Sequence, residues 1–191
     1  MSVGTGSARR IRVATAGDAE QILAIYAPIV AETAISFEDE PLSAAEIAMR
    51  IASILPTHPY LVCEEAGRIL GYAYASAHRA RAAYRWSVDT TVYVHAQSRR
   101  CGVGRDLYTA LLGILRRQRF HAVFAGIALP NDNSVGLHEA MGFAPVGVYR
   151  DVGFKLGRWH DVGWWRLGLQ EGLPAGEPIA FSRLTDEAGY I

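Results

Sequence analysis

The residues from Trp86 to Leu115 constrain the fold of this chain more than any other stretch, because they combine a strand, a turn and a helix in direct succession. β-Branched and aromatic residues between Val88 and Val94 favour an extended strand. The apolar residues after the turn recur at helical spacing, and they are Val103, Leu107, Leu111, Ile114 and Leu115. A strand that enters a helix in this way leaves backbone N–H groups free at the helix N-terminus. The stretch therefore predicts an anion site, suited to a pyrophosphate.

The turn itself carries two arginines and two glycines, which are Arg99, Arg100, Gly102 and Gly104. A tight turn that needs positive φ angles explains these glycines as well as a binding role does. No Gly-Lys-Ser/Thr follows them, so the turn is not a P-loop. A G-x-G-x-x-G pattern with a downstream ribose-binding acid is missing as well, which argues against a dinucleotide fold.

Composition narrows the class of protein further. The chain has 191 residues, half of them hydrophobic, which suffices for one domain with a substantial core. Basic and acidic residues each number 19, whereas a dedicated nucleic-acid or membrane-surface binder usually has a basic excess. No apolar run approaches the roughly 20 residues of a membrane-spanning helix. Cys63 and Cys101 lack metal-ligand spacing, which predicts free thiols, no metal and a cytoplasmic location.

Periodicity and turn residues predict the element order β-α-α-β-β-β-α-β-α-β-β, which is a single α/β domain with a mixed sheet. This domain spans residues 10–170, between a frayed N-terminus at residues 1–9 and a tail at residues 171–191. Pro28 is expected to kink the first helix or to end it early. A short helix that reaches Met141 is expected to have Asn133 or Ser134 as its cap. The glycine-rich residues 151–161 are predicted to be the connection between the two closing strands.

Side-chain alternation along the central strand puts Asp89 and Tyr93 on the same side, just before the anion turn. An acid beside a phenol could act there as a base and a positioning group, although an ordinary polar strand face would show the same alternation. His138 lies in the short helix, where a structural histidine is the alternative to a catalytic one.

A basic loop precedes the central strand and contains Arg79, Arg81 and Tyr84. Alternate arginines could hold a carboxylate through charge-assisted, bidentate hydrogen bonds. A solvated loop without a ligand is the competing interpretation.

Two motifs in this order, Arg99-x-x-Gly102-x-Gly104 and Asn133…Leu137-His138-x-x-x-Gly142-Phe143, resemble the acetyl-CoA motifs of the GCN5-related N-acetyltransferase superfamily. Five further strings resemble its phosphinothricin N-acetyltransferases, a group that includes methionine sulfoximine acetyltransferases. These strings are WSVDTTVYV at 86–94, LYT at 107–109, LPND at 129–132, LHEA at 137–140 and WHDVG at 159–163. The similarity extends over residues 10–170.

The resemblance implies a largely antiparallel, twisted sheet that is flanked by helices and splayed at the acetyl-CoA site. It implies that the turn backbone binds the CoA pyrophosphate, that the strand end pairs with the pantetheine arm, and that the thioester lies in the gap. The cofactor residues implied in this way are Tyr93, Val94, Arg99, Arg100, Cys101, Gly102, Val103, Gly104, Arg105 and Asn133.

The same resemblance assigns Asp89 as the base that deprotonates the substrate amine and His138 as a contributor to the acetyl-transfer site. The residues implied to line the amino-acid pocket are Phe37, Arg79, Arg81, Tyr84 and Tyr93. Asp89 stands where the best-known members have a glutamate, which is one methylene longer. His78 stands where a tryptophan is usual in the closest relatives.

The implied activity is direct acetyl transfer, in a ternary complex, from acetyl-CoA to the α-amino group of a small amino acid such as phosphinothricin or methionine sulfoximine, by a homodimer. One alternative is an N-acetyltransferase for another primary amine, such as a polyamine or a protein N-terminus. Arg79 and Arg81 argue against a polyamine, which requires an acidic pocket. Another alternative is a catalytically silent acyl-CoA-binding module.

Overall fold

The computed structural model describes residues 8–185 and arranges seven strands in one sheet. The strands are β1 (Arg10–Val13), β2 (Tyr60–Glu65), β3 (Arg68–Ala77), β4 (Ser87–Val94), β5 (Ala122–Leu129), β6 (Ala144–Lys155) and β7 (Arg158–Gly168). The helices are α1 (Ala19–Glu32), α2 (Ala44–Ile54), α3 (Val103–Arg117), α4 (Asp132–Ala140) and α5 (Phe181–Thr185). The predicted order of elements is confirmed as far as β7.

The sheet has the strand order β1-β2-β3-β4-β5-β7-β6. Every neighbouring pair is antiparallel except β4 and β5, which are parallel. The prediction of a mixed, largely antiparallel sheet is therefore confirmed. The parallel pair lies in the middle of the sheet, and the connection between its strands is α3, as a parallel crossover requires.

Two hydrophobic clusters cover the two faces of the sheet. One contains the apolar side of α3, with Leu107, Leu111 and Leu115, and buried sheet residues such as Val88. The other contains α1 and α2 with a group of stacked tyrosines, among them Tyr72. Since successive side chains of a strand point to opposite faces, β4 contributes to both clusters. We call these sides the α3 face and the α1 face.

Two short sequence patterns adopt the structures that they predict, a hairpin turn and a helix cap. The β2–β3 hairpin turns at Ala66 and Gly67, whose φ angles of 50° and 78° fit a turn with two left-handed residues. Ser43 caps α2, and the side chain of Glu46 accepts a hydrogen bond from the backbone N–H of Ser43 at 2.7 Å.

Two local predictions were wrong, and so was one of the two alternatives for Pro28. α1 continues past the exposed Pro28 as far as Glu32, so this proline does not end the helix early, and the alternative of a kink stays a prediction. The N-cap of α4 is Asn131, whose side chain accepts from the backbone N–H of Ser134, rather than Asn133 or Ser134 itself. Residues 151–161 are mostly strand, because β6 and β7 pair as a long hairpin that turns at Leu156 and Gly157 with positive φ angles.

Both ends of the described chain are anchored, in contrast to the predicted frayed end and tail. Arg9 donates to the carbonyl oxygen of Cys101 at 2.8 Å and pairs with Asp106 at 3.2 Å. At the other end, Phe181 is buried in the cluster of the α3 face, and Gln118 donates to the carbonyl oxygen of Ile179 at 2.8 Å. The remainder of the predicted frayed end and tail, at residues 1–7 and 186–191, lies outside the described residues.

Between residues 8 and 185, no helix is long and apolar enough to cross a membrane.

Candidate active site

β4 and β5 pair only where both strands begin. Their register joins three residue pairs, which are Ser87 with Ala122, Val88 with Val123 and Asp89 with Phe124. Beyond this point β4 follows β3 as far as Val94, and β5 follows β7 as far as Leu129. The two strands therefore diverge and leave a gap, which confirms the predicted splay of the sheet. We call the point of divergence at Asp89 and Phe124 the fork.

The N-terminus of α3 begins without a side-chain cap. Arg100 and Gly102 turn the chain from β4 into the helix with positive φ angles of 59° and 84°. The N–H of Asp106 is the first to bond back into the helix, to Gly102 at 3.0 Å. Helix geometry leaves three earlier amides unbonded, those of Val103, Gly104 and Arg105, so they can bind an anion.

Gly104 allows three elements to meet at the end of β4. A Cβ atom at this glycine would lie 3.0 Å from Cδ2 of Leu137 in α4 and 3.7 Å from Cγ2 of Val94 in β4. The structure thus brings together the strand end, the turn and α4, where the sequence predicts the cofactor residues. Asn133 is exposed in the first turn of α4.

Asp89 lies at the fork and bonds to His78. The distance between its Oδ1 and Nδ1 of His78 is 2.6 Å. The imidazole stacks on Phe124, with ring centroids 4.4 Å apart, and meets the edge of Trp164 at 6.0 Å. An aromatic wall therefore encloses the acid and its partner.

This enclosure changes the acidity of Asp89. Burial raises the pKa of its carboxyl group above the ordinary range, because a charge is less stable away from water. The hydrogen bond from His78 and the charge of Arg79 oppose this rise in pKa without cancelling it. A carboxylate with a raised pKa is a stronger base than an exposed one.

A cavity of about 480 Å³ adjoins this wall on the α1 face. It is lined by Ile35, Ser36, Phe37, Tyr93, Gly126, Ala128, Tyr149, Val152, Val162 and Trp164. Two predicted substrate residues, Phe37 and Tyr93, are thus part of one pocket. A larger cavity of about 570 Å³ lies between β1 and α3, and Arg105 is the predicted site residue that it contains.

A buried lysine holds the loop that contributes Phe37 to the pocket. Nζ of Lys155 donates to the carbonyl oxygens of Val30, Ser36 and Glu38, each at 2.7 Å. The three N–H groups of the ammonium are thereby satisfied. The Phe37 ring lies directly against Gly153, where no side chain would fit.

The three predicted residues of the basic loop differ in how close they lie to the pocket. The Arg79 guanidinium lies 5.7 Å from the ring centroid of Trp164 and donates to the His78 carbonyl oxygen at 2.9 Å. The Tyr84 ring lies 6.0 Å from the ring of His78. Arg81 is exposed at the start of a 3-10 turn and lies outside the residues that line the cavity.

His138 is buried and hydrogen-bonded at both ring nitrogens. Its Nδ1 donates to the carbonyl oxygen of Ser134 at 2.7 Å, and its Nε2 lies 2.8 Å from the Tyr108 hydroxyl. Burial lowers the pKa of His138, so the neutral ring is favoured and Nε2 accepts from Tyr108. The Tyr108 hydroxyl lies 3.4 Å from that of Thr90, whose hydroxyl also faces the Phe124 carbonyl oxygen at 3.4 Å.

Asp89 and His138 therefore approach the fork from opposite faces of the sheet. Asp89 belongs to the α1 face with Tyr93, as strand alternation predicts. His138 belongs to the α3 face and connects to the fork through Tyr108 and Thr90. The two predicted catalytic groups are thus connected to the same fork but lie on opposite faces of the sheet.

Sequence reasoning missed four residues that shape this site, namely His78, Tyr108, Lys155 and Trp164. For His78 the sequence carried no signal, since its place beside Asp89 follows from the pairing of Ser76 with Asp89 in the folded sheet. Tyr108 was named within a motif but given no role. Lys155 carried no signal, because a lysine in a glycine-rich segment usually predicts an exposed side chain.

The family model described as an acetyltransferase (GNAT) domain matches residues 11–164. A phosphinothricin N-acetyltransferase of Streptomyces viridochromogenes is 41% identical over 165 residues, which are 86% of this chain and 89% of that protein. An L-methionine sulfoximine/L-methionine sulfone acetyltransferase of Salmonella typhimurium is 35% identical over 162 residues, which are 84% of this chain and 95% of that protein.

A solved structure shares the fold closely. It is a GNAT superfamily phosphinothricin acetyltransferase from Sinorhizobium meliloti in complex with AcCoA. The TM-score is 0.83 at 36% sequence identity, with 90% of this chain and 93% of that chain covered.

We expect His138 to make the folded protein sensitive to acid. An unfolded histidine binds a proton below about pH 6.5, whereas the folded ring resists protonation because it is buried. The unfolding free energy of the wild type should therefore fall as the pH decreases from 7 to 5. The His138→Gln variant should show a less steep fall over the same interval, measured by urea unfolding.

The matched control is His121→Gln, at a half-buried histidine just before β5, which should keep the wild-type slope. Equal slopes for wild type and His138→Gln would contradict the expected neutral, buried ring.

Proposed function

The chain belongs to the acetyltransferase (GNAT) family, and we propose that it acetylates the α-amino group of a small amino acid of the phosphinothricin or methionine sulfoximine type. It is an acetyl-CoA-dependent N-acetyltransferase, and acetyl-CoA is its co-substrate. The observation that carries the proposal is the fork, because an acid, an aromatic pocket and a helix N-terminus without a side-chain cap adjoin one gap in the sheet.

The proposed cofactor site is the turn and the strand end beside the gap. The free amides of Val103, Gly104 and Arg105 would receive the pyrophosphate, because a helix N-terminus favours negative charge. Val94 and Tyr93 would lie along the pantetheine arm, with the turn residues Arg99, Arg100, Cys101 and Gly102 and the α4 residue Asn133 around the nucleotide end. Among residues 8–185 no group of three His, Cys, Asp or Glu side chains could hold a metal ion.

The proposed amino-acid site is the cavity on the α1 face. Its apolar wall, with Phe37, Tyr93 and Trp164, suits a short side chain. Arg79 lies over Trp164 and can donate two parallel hydrogen bonds to the α-carboxylate. Tyr84 and Arg81 follow it in the same loop and would complete the entrance. This arrangement would direct the α-amino group toward the fork.

The chemistry requires a base, a positioned thioester and a leaving thiolate. An ammonium has no lone pair, so the amine must lose a proton before it attacks. We assign this proton transfer to the Asp89–His78 pair, whose enclosure raises the pKa of the acid. His138 is assigned a positioning role through Tyr108 and Thr90 at the fork, because both nitrogens of its buried ring are bonded.

We expect turnover with free α-amino acids. The purified protein is mixed with acetyl-CoA and with phosphinothricin, methionine sulfoximine, the common amino acids, a polyamine or a peptide with a free N-terminus. Release of free thiol is measured, and mass spectrometry identifies the acetylated product. Arg79→Gln should raise the KM for the amino acid about 10-fold, by the loss of about 1.4 kcal/mol of charge-assisted bonding, and leave the KM for acetyl-CoA unchanged.

Arg183→Gln is the control for this variant, at an exposed arginine of α5. Turnover of the polyamine or the peptide alone would replace the proposal with another primary amine. Acetyl-CoA binding without turnover of any amine would identify a silent acyl-CoA-binding module.

Arg100 gives a test of the cofactor site. Its guanidinium is exposed in the turn before α3, where it can attract the phosphates of CoA. Arg100→Ala should raise the KM for acetyl-CoA about 3- to 10-fold at low ionic strength. The effect should shrink as salt is added, because exposed charges are screened. Arg158→Ala, at an exposed arginine of the β6–β7 hairpin, should have no effect, and an equal rise in both variants would contradict the assignment.

We also propose that the enzyme is a cytoplasmic homodimer. The edge strand β6 carries exposed apolar side chains, which are Val146, Val148, Tyr149, Val152 and Phe154. An uncovered edge of this kind favours association, and Tyr149 and Val152 also line the substrate cavity. A cytoplasmic location is supported by Cys63 and Cys101, which are free thiols.

The dimer is tested by sedimentation at micromolar concentration. The wild type should sediment as a dimer, and the double variant Val146→Lys/Phe154→Lys should sediment as a monomer, because each lysine puts a charge on the apolar edge. Leu173→Lys, at the 92% exposed Leu173 outside the sheet, should remain dimeric. A monomeric wild type would contradict this proposal.

A further inference from the structure

We infer that Nε2 of His78 is the atom that removes the proton from the attacking amine, and that Asp89 is the positioning residue that holds this histidine. This assignment rests on the proposed amino-acid N-acetyltransferase activity and names the base within the Asp89–His78 pair. It follows from the placement, hydrogen bonding and surroundings of the imidazole.

The register of the sheet places His78 beside Asp89. Ser76 pairs with Asp89 across β3 and β4, and His78 lies two residues further on the same face. Its backbone N–H continues the ladder to the carbonyl oxygen of Ser87 at 3.3 Å. The backbone of His78 is thus held by the sheet.

The hydrogen bond to Asp89 determines which nitrogen is available. An ionised carboxylate only accepts, so Nδ1 of His78 must carry the proton in their 2.6 Å contact. In the neutral ring Nε2 then retains its lone pair. Nε2 lies on the side of the ring away from the Asp89 carboxylate. A base at Nε2 is therefore further from the β4 backbone than the carboxylate is.

The aromatic neighbours fix the plane of the imidazole next to a wall of the pocket. Phe124 stacks on the ring at a 15° interplanar angle, and Trp164 meets it edge-on at 83°. Trp164 and Gly126, which pair across β7 and β5, both line the substrate cavity. The ring therefore lies between the acid and the cavity wall, with 12% of its side chain exposed.

The surroundings suit an imidazole that changes charge during turnover. The titratable and charged groups near it are Asp89 from β4 and Arg79 and Tyr84 from the adjacent loop, whereas β5 and β7 contribute the uncharged Phe124 and Trp164. The Asp89 carboxylate would stabilise an imidazolium. An imidazole has an ordinary pKa of about 6.5, near the pH at which a general base is most effective.

The proton balance is complete without a further reactant. His78 takes one proton from the ammonium and becomes an imidazolium paired with Asp89. The freed lone pair forms the C–N bond, and the C–S bond breaks. The sulfur leaves with the electron pair of that bond and takes the second proton that the nitrogen loses. The imidazolium returns its proton to water before the next turnover.

The test compares kcat/KM from pH 5.5 to 9 in the wild type, His78→Phe, His78→Gln and Asp89→Asn, with the best amino acid of the panel. The wild-type profile should rise with an inflection in the histidine range. At pH 7 both His78 variants should lose about 10²- to 10⁴-fold in kcat/KM and the inflection with it. Asp89→Asn should lower kcat/KM less than the His78 variants do, because its imidazolium loses the carboxylate but the imidazole remains.

His58→Phe is the matched control, because His58 also stacks on a phenylalanine, Phe120, at 5.5 Å but lies away from the fork. It should keep the wild-type profile. Added imidazole should restore part of the activity of a His78→Ala variant, which a purely structural role would not allow. ¹⁵N NMR of the free wild type should show the Nδ1–H tautomer of His78.

This assignment alone would be overturned if the wild type is active and if His78→Phe or His78→Gln retains the inflection and a kcat/KM within about 3-fold of the wild type. The proposed function would then remain intact. A wild type that acetylates no α-amino acid would overturn the proposed function and this assignment together.

Discussion

The short parallel contact between β4 and β5 is the constraint on which the rest of the site depends. Three residue pairs join these strands, and each strand then follows its own antiparallel neighbour. Antiparallel pairing on the outer sides holds both strands firmly, so the sheet tolerates a gap at its centre. The gap leaves backbone groups of β4 free, which a bound pantetheine arm could satisfy, and it gives both faces of the sheet access to one point.

The polar groups near that point differ between the two faces in their burial and in their hydrogen bonding. On the α1 face Asp89 and His78 are half enclosed and keep one nitrogen lone pair free. On the α3 face Tyr108 and His138 are fully buried and bonded to each other. Buried polar groups that are fully satisfied stabilise a unique arrangement, whereas a free lone pair at a pocket can react. The proposed division of roles between the two faces rests on this difference.

Much of this architecture could be predicted because it depends on short-range patterns. Alternation along β4 placed Asp89 and Tyr93 on one face, and the spacing of apolar residues predicted the helix after the turn, whereas the anion site stays a prediction. The pairing of the two closing strands was predicted, but their extension through residues 151–161 was not, because the glycines and charges there resemble a loop and cross-strand pairing overrides that tendency. His78 was interpreted as a loop residue because its position depends on the register of β3 against β4, which a single sequence does not specify.

Lys155 joins the outer edge of the sheet to the mouth of the pocket. It is the last residue of β6, and its ammonium is held by carbonyl oxygens of α1 and of the loop that carries Phe37. Tension or displacement along the edge strand would therefore be transmitted to the aromatic side of the cavity over a single side chain. The width of the pocket is thereby linked to the position of the edge strand β6. A change at this surface, remote from the reacting atoms, can alter which substrate side chains fit the pocket.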